Sequence, residues 1–484
     1  MKVKDSSVAV EERHLLNQLP DRFGFDTLAP QLIAPFLLPC IQMPGVMSTL
    51  AAEVSQRLLD MTVRQAIAQT EFYSARFADL PLQERLSRAD FQSLPVLTRN
   101  ELQASGGAIR SRHAKYAFTS YTSGTSTGRP LFIDRSQQEQ QYLTQLFTLL
   151  GGPSEAGEAE IALVLATWYH GHQLQIPGRA FTVPVSLSNR VGYGQALALL
   201  SRSYDINGSR RHINAIVGGL VAIMMLTVYL LEEDRGDLIT RVKRLQSTSH
   251  YISRAARAWL SEQWKCPLED CFSLTELFFG ATYCQDCDLY HFDPFGLAEV
   301  LKPGTSEVTE EGRGILLLTG FYPFTQMTPL IRYECGDLVD VHETSCVAGT
   351  RGYRFLGRKE NAVFLDGRFY GDAWLSAAEV IEALEPLAEI GRARAVGDLP
   401  KSAANVGGMP KFRLSKDKDG RPLLEIELRF LPAQFPQRVA ELRTRVLDGL
   451  RDECSWLGAS SSREWLQVSF IGPDMLAGDV KFRP

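Results

Sequence analysis

From about residue 115 onward, apolar runs of strand character alternate with stretches of helical periodicity, and this alternation restricts the chain to an α/β core. The runs EIALVLAT (residues 160–167) and RGILLLTG (313–320) have the length and apolar continuity of buried strands. Between such runs, QQEQQYLTQLFTLL (137–150) repeats its apolar residues at helical spacing, as does the segment 47–80 before them. Beyond residue 357 the pattern changes. PLLEIELRFL (422–431) reads as a strand, residues 437–457 as an amphipathic helix and EWLQVSFIG (464–472) as another strand. The expected organisation is a large, multi-layer N-terminal α/β domain of sheets and helices, residues 1–357, followed by a small α+β C-terminal domain, residues 358–484.

With 51 basic against 56 acidic side chains the net charge is −5, so no basic face is expected and nucleic acid is not an expected partner. The first twenty residues lack the apolar core of a secretory signal. Eight cysteines without regular spacing suit reduced thiols in a cytoplasm. The apolar run 215–231 is interrupted by Gly218 and Gly219 and falls short of the roughly 20 residues a membrane span needs; a buried strand, glycine turn and helix is expected, with no membrane partner.

Residues 121–130 read YTSGTSTGRP. Glycines let the backbone turn its amides toward an anion, and short hydroxyls add neutral donors, so this stretch is suited to cradle phosphates. It lacks the Gly-Lys-Ser/Thr ending of a P-loop NTPase. FSLTE (272–276) follows, combining an aromatic ring, a hydroxyl and a carboxylate, the residue types that stack on a base, meet a phosphate and hold Mg2+. Next come an acid after a glycine turn, Asp337, and a basic residue, Arg358.

In that order these motifs resemble the adenylate-forming superfamily of acyl-CoA synthetases, peptide-synthetase adenylation domains and luciferases. The stretches HFDPFGLAEVLKPG and RGILLLTGFYPFTQMTPLIRYECGD look most like its phenylacetate–CoA ligase branch. The resemblance runs from about Thr119 to the C-terminus. It implies that Ser123, Gly124, Thr125, Thr127 and Gly128 cradle the β- and γ-phosphates, with Arg129 supplying a cation. Phe272 and Ser273 would lie at the adenine, Thr275 at the α-phosphate, Glu276 at Mg2+, and Asp337 and Arg358 at the ribose. Ser249 and His250 fall where the family lines the nucleotide. Lys481, in the tail AGDVKFRP, matches the mobile catalytic lysine, and Glu360 the hinge. An ammonium there would stabilise charge building on the α-phosphate during carboxylate attack. The chain departs from the family pattern at four points: Ser126 is inserted in the loop, Leu131 replaces a lysine, Ser273 a glycine and Glu360 an aspartate.

Cys284, Cys287 and His291 form a C-x2-C-x3-H pattern, and Cys346 offers a fourth ligand. Two readings stand, a structural tetrahedral zinc site or reduced, metal-free thiols. Some phenylacetate-branch enzymes resemble this arrangement, although Ala348 stands where they carry a further cysteine.

Where the family lines its acyl pocket, this chain has Trp168, Tyr169, His170 and His172, then Phe278, Phe279 and Gly280, and later Tyr322 and Phe324. Flat walls suit an aromatic acid. The resemblance thus implies an ATP- and Mg2+-dependent enzyme that joins an aromatic carboxylate to AMP and then transfers it to CoA, in secondary metabolism such as antibiotic biosynthesis. Transfer to a carrier protein or a reductase, or ligand binding without turnover, are the alternatives; a homodimer is one assembly left open.

Overall fold

The computed structural model describes residues 6–19, 28–80, 85–122, 129–150, 160–165, 180–187, 190–206, 208–248, 251–364, 374–393, 409–454 and 465–476. They fall into two compact units. The first draws on Met1–Gly157 and Phe272–Arg354, the second on Glu158–Thr167, Arg179–Cys271 and Phe355–Pro484. The boundary expected at 357/358 lies just inside the second unit. Mixed α/β architecture is present as expected.

In the first unit, the strands Gly296–Leu301, Gly312–Gly320 and Tyr333–Glu343 form an antiparallel sheet, with Val308–Thr309 on its outer edge. The sheet continues through Arg351–Arg358 to the hairpin Ala281–Cys284 and Leu289–Phe292. Helix Ser48–Gln69 buries Leu50, Val54, Leu58, Leu59, Val63 and Ala66, one apolar stripe at three- and four-residue spacing. One short helix, Arg99–Ser105, matters for the site. At its start Thr98 and Glu101 form a capping box: Glu101 N–H donates to Thr98 Oγ1 at 3.2 Å and Thr98 N–H to the Glu101 carboxylate at 2.8 Å. Leu97 fixes this helix start to the sheet, its N–H reaching Arg332 O at 3.0 Å and its carbonyl receiving Glu334 N–H at 2.9 Å.

The second unit contains a parallel run of strands in the order Leu268–Phe272, Arg244–Thr248, Ala215–Gly219, Glu160–Leu165 and Ala180–Val185. Parallel strands are covered on both faces, which explains their continuous apolar sequences. The run 215–231 resolves as expected into strand Ala215–Gly219 and helix Leu220–Glu232, which is buried nearly all round. Trp264 packs into the same core and donates its indole N–H to Thr227 Oγ1 at 2.8 Å. Among the described residues no helix is long and apolar enough to cross a membrane.

The C-terminal stretch supplies strands Phe412–Lys416, Pro422–Glu427 and Gln467–Ile471, the last two paired in parallel, and helices Ala377–Leu384 and Pro436–Glu453. Its apolar faces and those of residues 161–268 belong to one continuous buried cluster. Buried Glu382 ties the two: Tyr251 Oη donates to its carboxylate at 2.6 Å and Arg254 N–H at 3.0 Å, with the Arg254 guanidinium at 3.6 Å. Glu382→Ala strands these donors, and a loss of about 2–4 kcal/mol is expected in urea unfolding. A change below about 0.5 kcal/mol would show that water satisfies them equally well.

Candidate nucleotide site and metal centre

The segment 272–280 leaves strand Leu268–Phe272 and closes on itself. Gly280 N–H donates to Asp293 Oδ2 at 3.1 Å, and Asp293 N–H returns to Gly280 O at 2.9 Å. A Cβ on Gly280 would stand 2.2 Å from Phe272 O, so only glycine permits this closure. Burial pushes the Asp293 carboxyl above its ordinary range, opposed by the bond from Gly280. Within the loop, the carbonyl of Thr275 accepts from Arg135 Nη2 at 2.9 Å. Arg135 is itself buried and paired with Glu139 at 3.4 Å, whose carboxylate receives Gln326 N–H and Met327 N–H at 3.1 and 3.0 Å. The backbone at Thr275 is therefore held by a buried ionic network.

Glu276, 4% exposed, accepts from Tyr333 Oη at 3.2 Å, and Arg99 Nη1 lies 3.6 Å from the same oxygen. Burial, then the Glu276 charge, pushes the Tyr333 phenol far above its ordinary range, keeping it a neutral donor. Arg99 also reaches Thr122 Oγ1 at 3.2 Å and Arg129 O at 3.5 Å. Thr122 and Leu131 clamp the base of the glycine-rich stretch: Thr122 N–H donates to Leu131 O at 3.0 Å, and Leu131 N–H to Thr122 Oγ1 at 2.9 Å. Leu131 is buried and serves as an apolar anchor at the end of this stretch.

Asp337 is buried on the strand that carries Tyr333, directly after Gly336 with φ 85°. Phe272 is half-buried and meets Phe292 edge-on at 6.0 Å; Ser273 is exposed. Phe278 clusters with Phe147 and Phe295, while Phe279 is buried against Phe292 and Gly296. Buried Phe324 meets Phe295 at 4.9 Å and Tyr142 at 5.9 Å, and Tyr322 is half-buried. In the second unit, half-buried Arg358 ends its strand after Gly357 (φ 99°), and Glu360 is exposed in the 3-10 turn Lys359–Asn361. Ser123, Gly124, Thr125, Ser126, Thr127, Gly128, Trp168, Tyr169, His170, His172, Ser249, His250 and Lys481 lie outside the described residues. Arg99, Arg135 and Tyr333 were not expected from the sequence. The capping-box spacing of Thr98 and Glu101 was the available signal for Arg99, since it fixes an arginine at a helix start.

Cys284, Cys287, His291 and Cys346 offer four ligand atoms that all lie within 4.8 Å of one another. Cys284 Sγ and Cys346 Sγ are 3.6 Å apart, and Cys287 Sγ is 3.1 Å from His291 Nε2. A tetrahedral zinc with 2.3 Å bonds to sulfur separates its ligands by roughly 3.8 Å, so the donor set fits. His291 Nδ1 lies 2.8 Å from Arg351 O, which makes Nδ1 the protonated nitrogen and leaves Nε2 for a metal. Burial lowers the His291 pKa, favouring the neutral ring that ligates. Burial and the two neighbouring thiols push metal-free Cys287 up to about 12, a penalty that a bound divalent cation reverses. Ala348 N–H approaches Cys346 Sγ at 3.4 Å. Local sequence shapes the fit. Asp288 takes φ 58° in the hairpin turn, and a Cβ on Gly349 would stand 2.6 Å from His291 Nδ1.

No family model matches the chain, and no curated protein matches it either. Its fold is nevertheless shared with solved structures. The chain is similar to 2-hydroxyisobutyryl-CoA ligase in the postadenylation state with 2-HIB-AMP, at TM-score 0.62 and 15% identity, covering 91% of this chain and 89% of that one. An open conformation of the same ligase with 2-HIB-AMP and CoA gives TM-score 0.61 and 15% identity, with 90% and 91% covered. The chain thus shares its fold with this ligase over about nine-tenths of both lengths.

Proposed function

We propose that the chain is an ATP- and Mg2+-dependent acid–thiol ligase that activates an aromatic carboxylate of secondary metabolism as its acyl-adenylate and passes the acyl group to CoA. The observation that carries this reading is the meeting of Glu276, Arg99 and the Thr122–Leu131 clamp of the glycine-rich stretch, within a fold shared with acid–CoA ligases.

Glu276, with Thr275 beside it on an anchored backbone, is the group that would hold Mg2+; one carboxylate plus substrate phosphates is the common protein share in such sites. Bound there, Mg2+ supplies charge neutralisation of the phosphates. Tyr333 orients the Glu276 carboxylate, and Asp337 would accept from the ribose. Arg358 would join it there, and Glu360 would serve as the hinge of a mobile segment 358–484 that delivers Lys481. Phe272 and Ser273, with Ser249 and His250, would hold the adenine. Trp168, Tyr169, His170, Phe278, Phe279 and Gly280 would form the acyl side. Cys284, Cys287, His291 and Cys346 are read as a structural zinc centre.

A pyrophosphate-release screen over aryl acids, with and without CoA, tests the reading. Acid-dependent release and CoA-dependent thioester formation are expected, and Lys481→Ala should lower adenylation about 100-fold or more with ATP affinity retained. Adenylate formed without transfer to CoA would redirect the second step to a carrier protein or reductase. ATP bound with no release for any acid would leave a nucleotide-binding protein.

A further inference from the structure

Arg99 is built like a binding residue more than a structural one. A guanidinium carries five donors, and when it serves only to close a buried ion pair it ordinarily forks onto the carboxylate with two short bonds. Arg99 does not. It lies 3.6 Å from Glu276, reaches Thr122 Oγ1 at 3.2 Å and Arg129 O only at 3.5 Å. Its Nε is buried with no hydrogen-bond partner among the described residues, and its side chain is 18% exposed. The backbone that carries it is, by contrast, tightly fixed by the Thr98–Glu101 capping box and by Leu97 docked on the sheet beside Tyr333. A rigidly mounted, under-satisfied cation at the base of a glycine-rich stretch, touching a metal-holding carboxylate, is suited to an anion of several charges.

We propose that Arg99 is a nucleotide-binding residue specific for the polyphosphate. In the empty site it neutralises Glu276; when Glu276 engages the Mg2+ of the nucleotide, the guanidinium turns to β- or γ-phosphate oxygens. The inference rests on the adenylation reading and adds a residue to it. No covalent step is involved; Glu276 and Arg99 exchange partners.

Calorimetry with MgATP, AMP and inorganic tripolyphosphate tests this on the full chain. Arg99→Met is expected to weaken MgATP and tripolyphosphate by about 10- to 100-fold, the scale of a lost charge-assisted bond, with AMP affinity within about 3-fold. Arg99→Lys should recover part of the loss. Because Arg99→Met leaves Glu276 without its cation, the double variant R99M/E276Q is the folding control: it should regain the melting temperature of the wild type without regaining tripolyphosphate binding. In steady state the KM for ATP rises while that for the acid stays. Arg99→Met binding MgATP as the wild type does, or losing ATP and AMP in equal measure, would overturn the assignment. A wild-type chain that binds neither ATP nor AMP would instead remove the adenylation reading, an outcome distinct from either.

Discussion

Glu276→Gln is expected to lower acid-dependent pyrophosphate release by about 100-fold or more, with the Mg2+ concentration for half-maximal rate shifted upward. The amide is nearly isosteric and keeps an acceptor for Tyr333 Oη, which stands 3.2 Å from the carboxylate. What it loses is the charge. The Arg99 cation then faces a neutral group in a site where Glu276 is only 4% exposed. Stability should fall by about 1–3 kcal/mol, the cost of a partly buried group left without its ionic partner. The two effects separate on titration with magnesium, because added metal cannot replace a missing carboxylate but does not alter unfolding in the absence of nucleotide. Release rates and magnesium dependence equal to those of the parent chain would remove Glu276 from the metal site.

The second large effect concerns the cysteine cluster. About one zinc per chain is expected on elemental analysis, and its removal by a chelator should lower the apparent melting temperature by roughly 5–10 °C. The ligands come from two places, the hairpin carrying Cys284, Cys287 and His291 and the loop carrying Cys346. That loop in turn supports the start of helix Ser48–Gln69: Gly45 N–H donates to Val347 O at 2.9 Å, and a Cβ at Gly45 would stand 2.0 Å from Cys346 O. A metal there would staple the hairpin to the loop, and through the loop brace the helix start. Cys346→Ser should reproduce the chelator's effect and abolish its further action. Protein purified without metal, melting alike with and without chelator, would instead support reduced, metal-free thiols.

Features set by short-range spacing were legible before the structure. The C-x2-C-x3-H pattern spans a single hairpin, and the glycines of 215–231 marked the step from strand to helix, whereas the backbone of FSLTE is held by Arg135, far off in sequence. Arg99 was hidden because its meaning comes from Glu276, Thr122 and Arg129, which approach it only through tertiary pairing. Aromatic composition was a poorer guide. Phe279 is indistinguishable in sequence from Phe278, yet it fills the space that Gly296 leaves, whereas Phe278 stays half-buried among rings. The continuous apolar cluster of the second unit could not be read either, since residues 161–268 and 375–468 show their amphipathic faces without showing which face meets which.

That cluster, and Glu382 within it, bears on the timing of the proposed reaction. Any swing of the C-terminal segment about Glu360 must first withdraw Glu382 from Tyr251 and Arg254. If such a swing occurs, the clasped arrangement would be a resting state, and leaving it would set a clock independent of how reactive the acid is. Turnover would be nearly the same for fast and slow acids, limited by release of the clasp instead of by bond making.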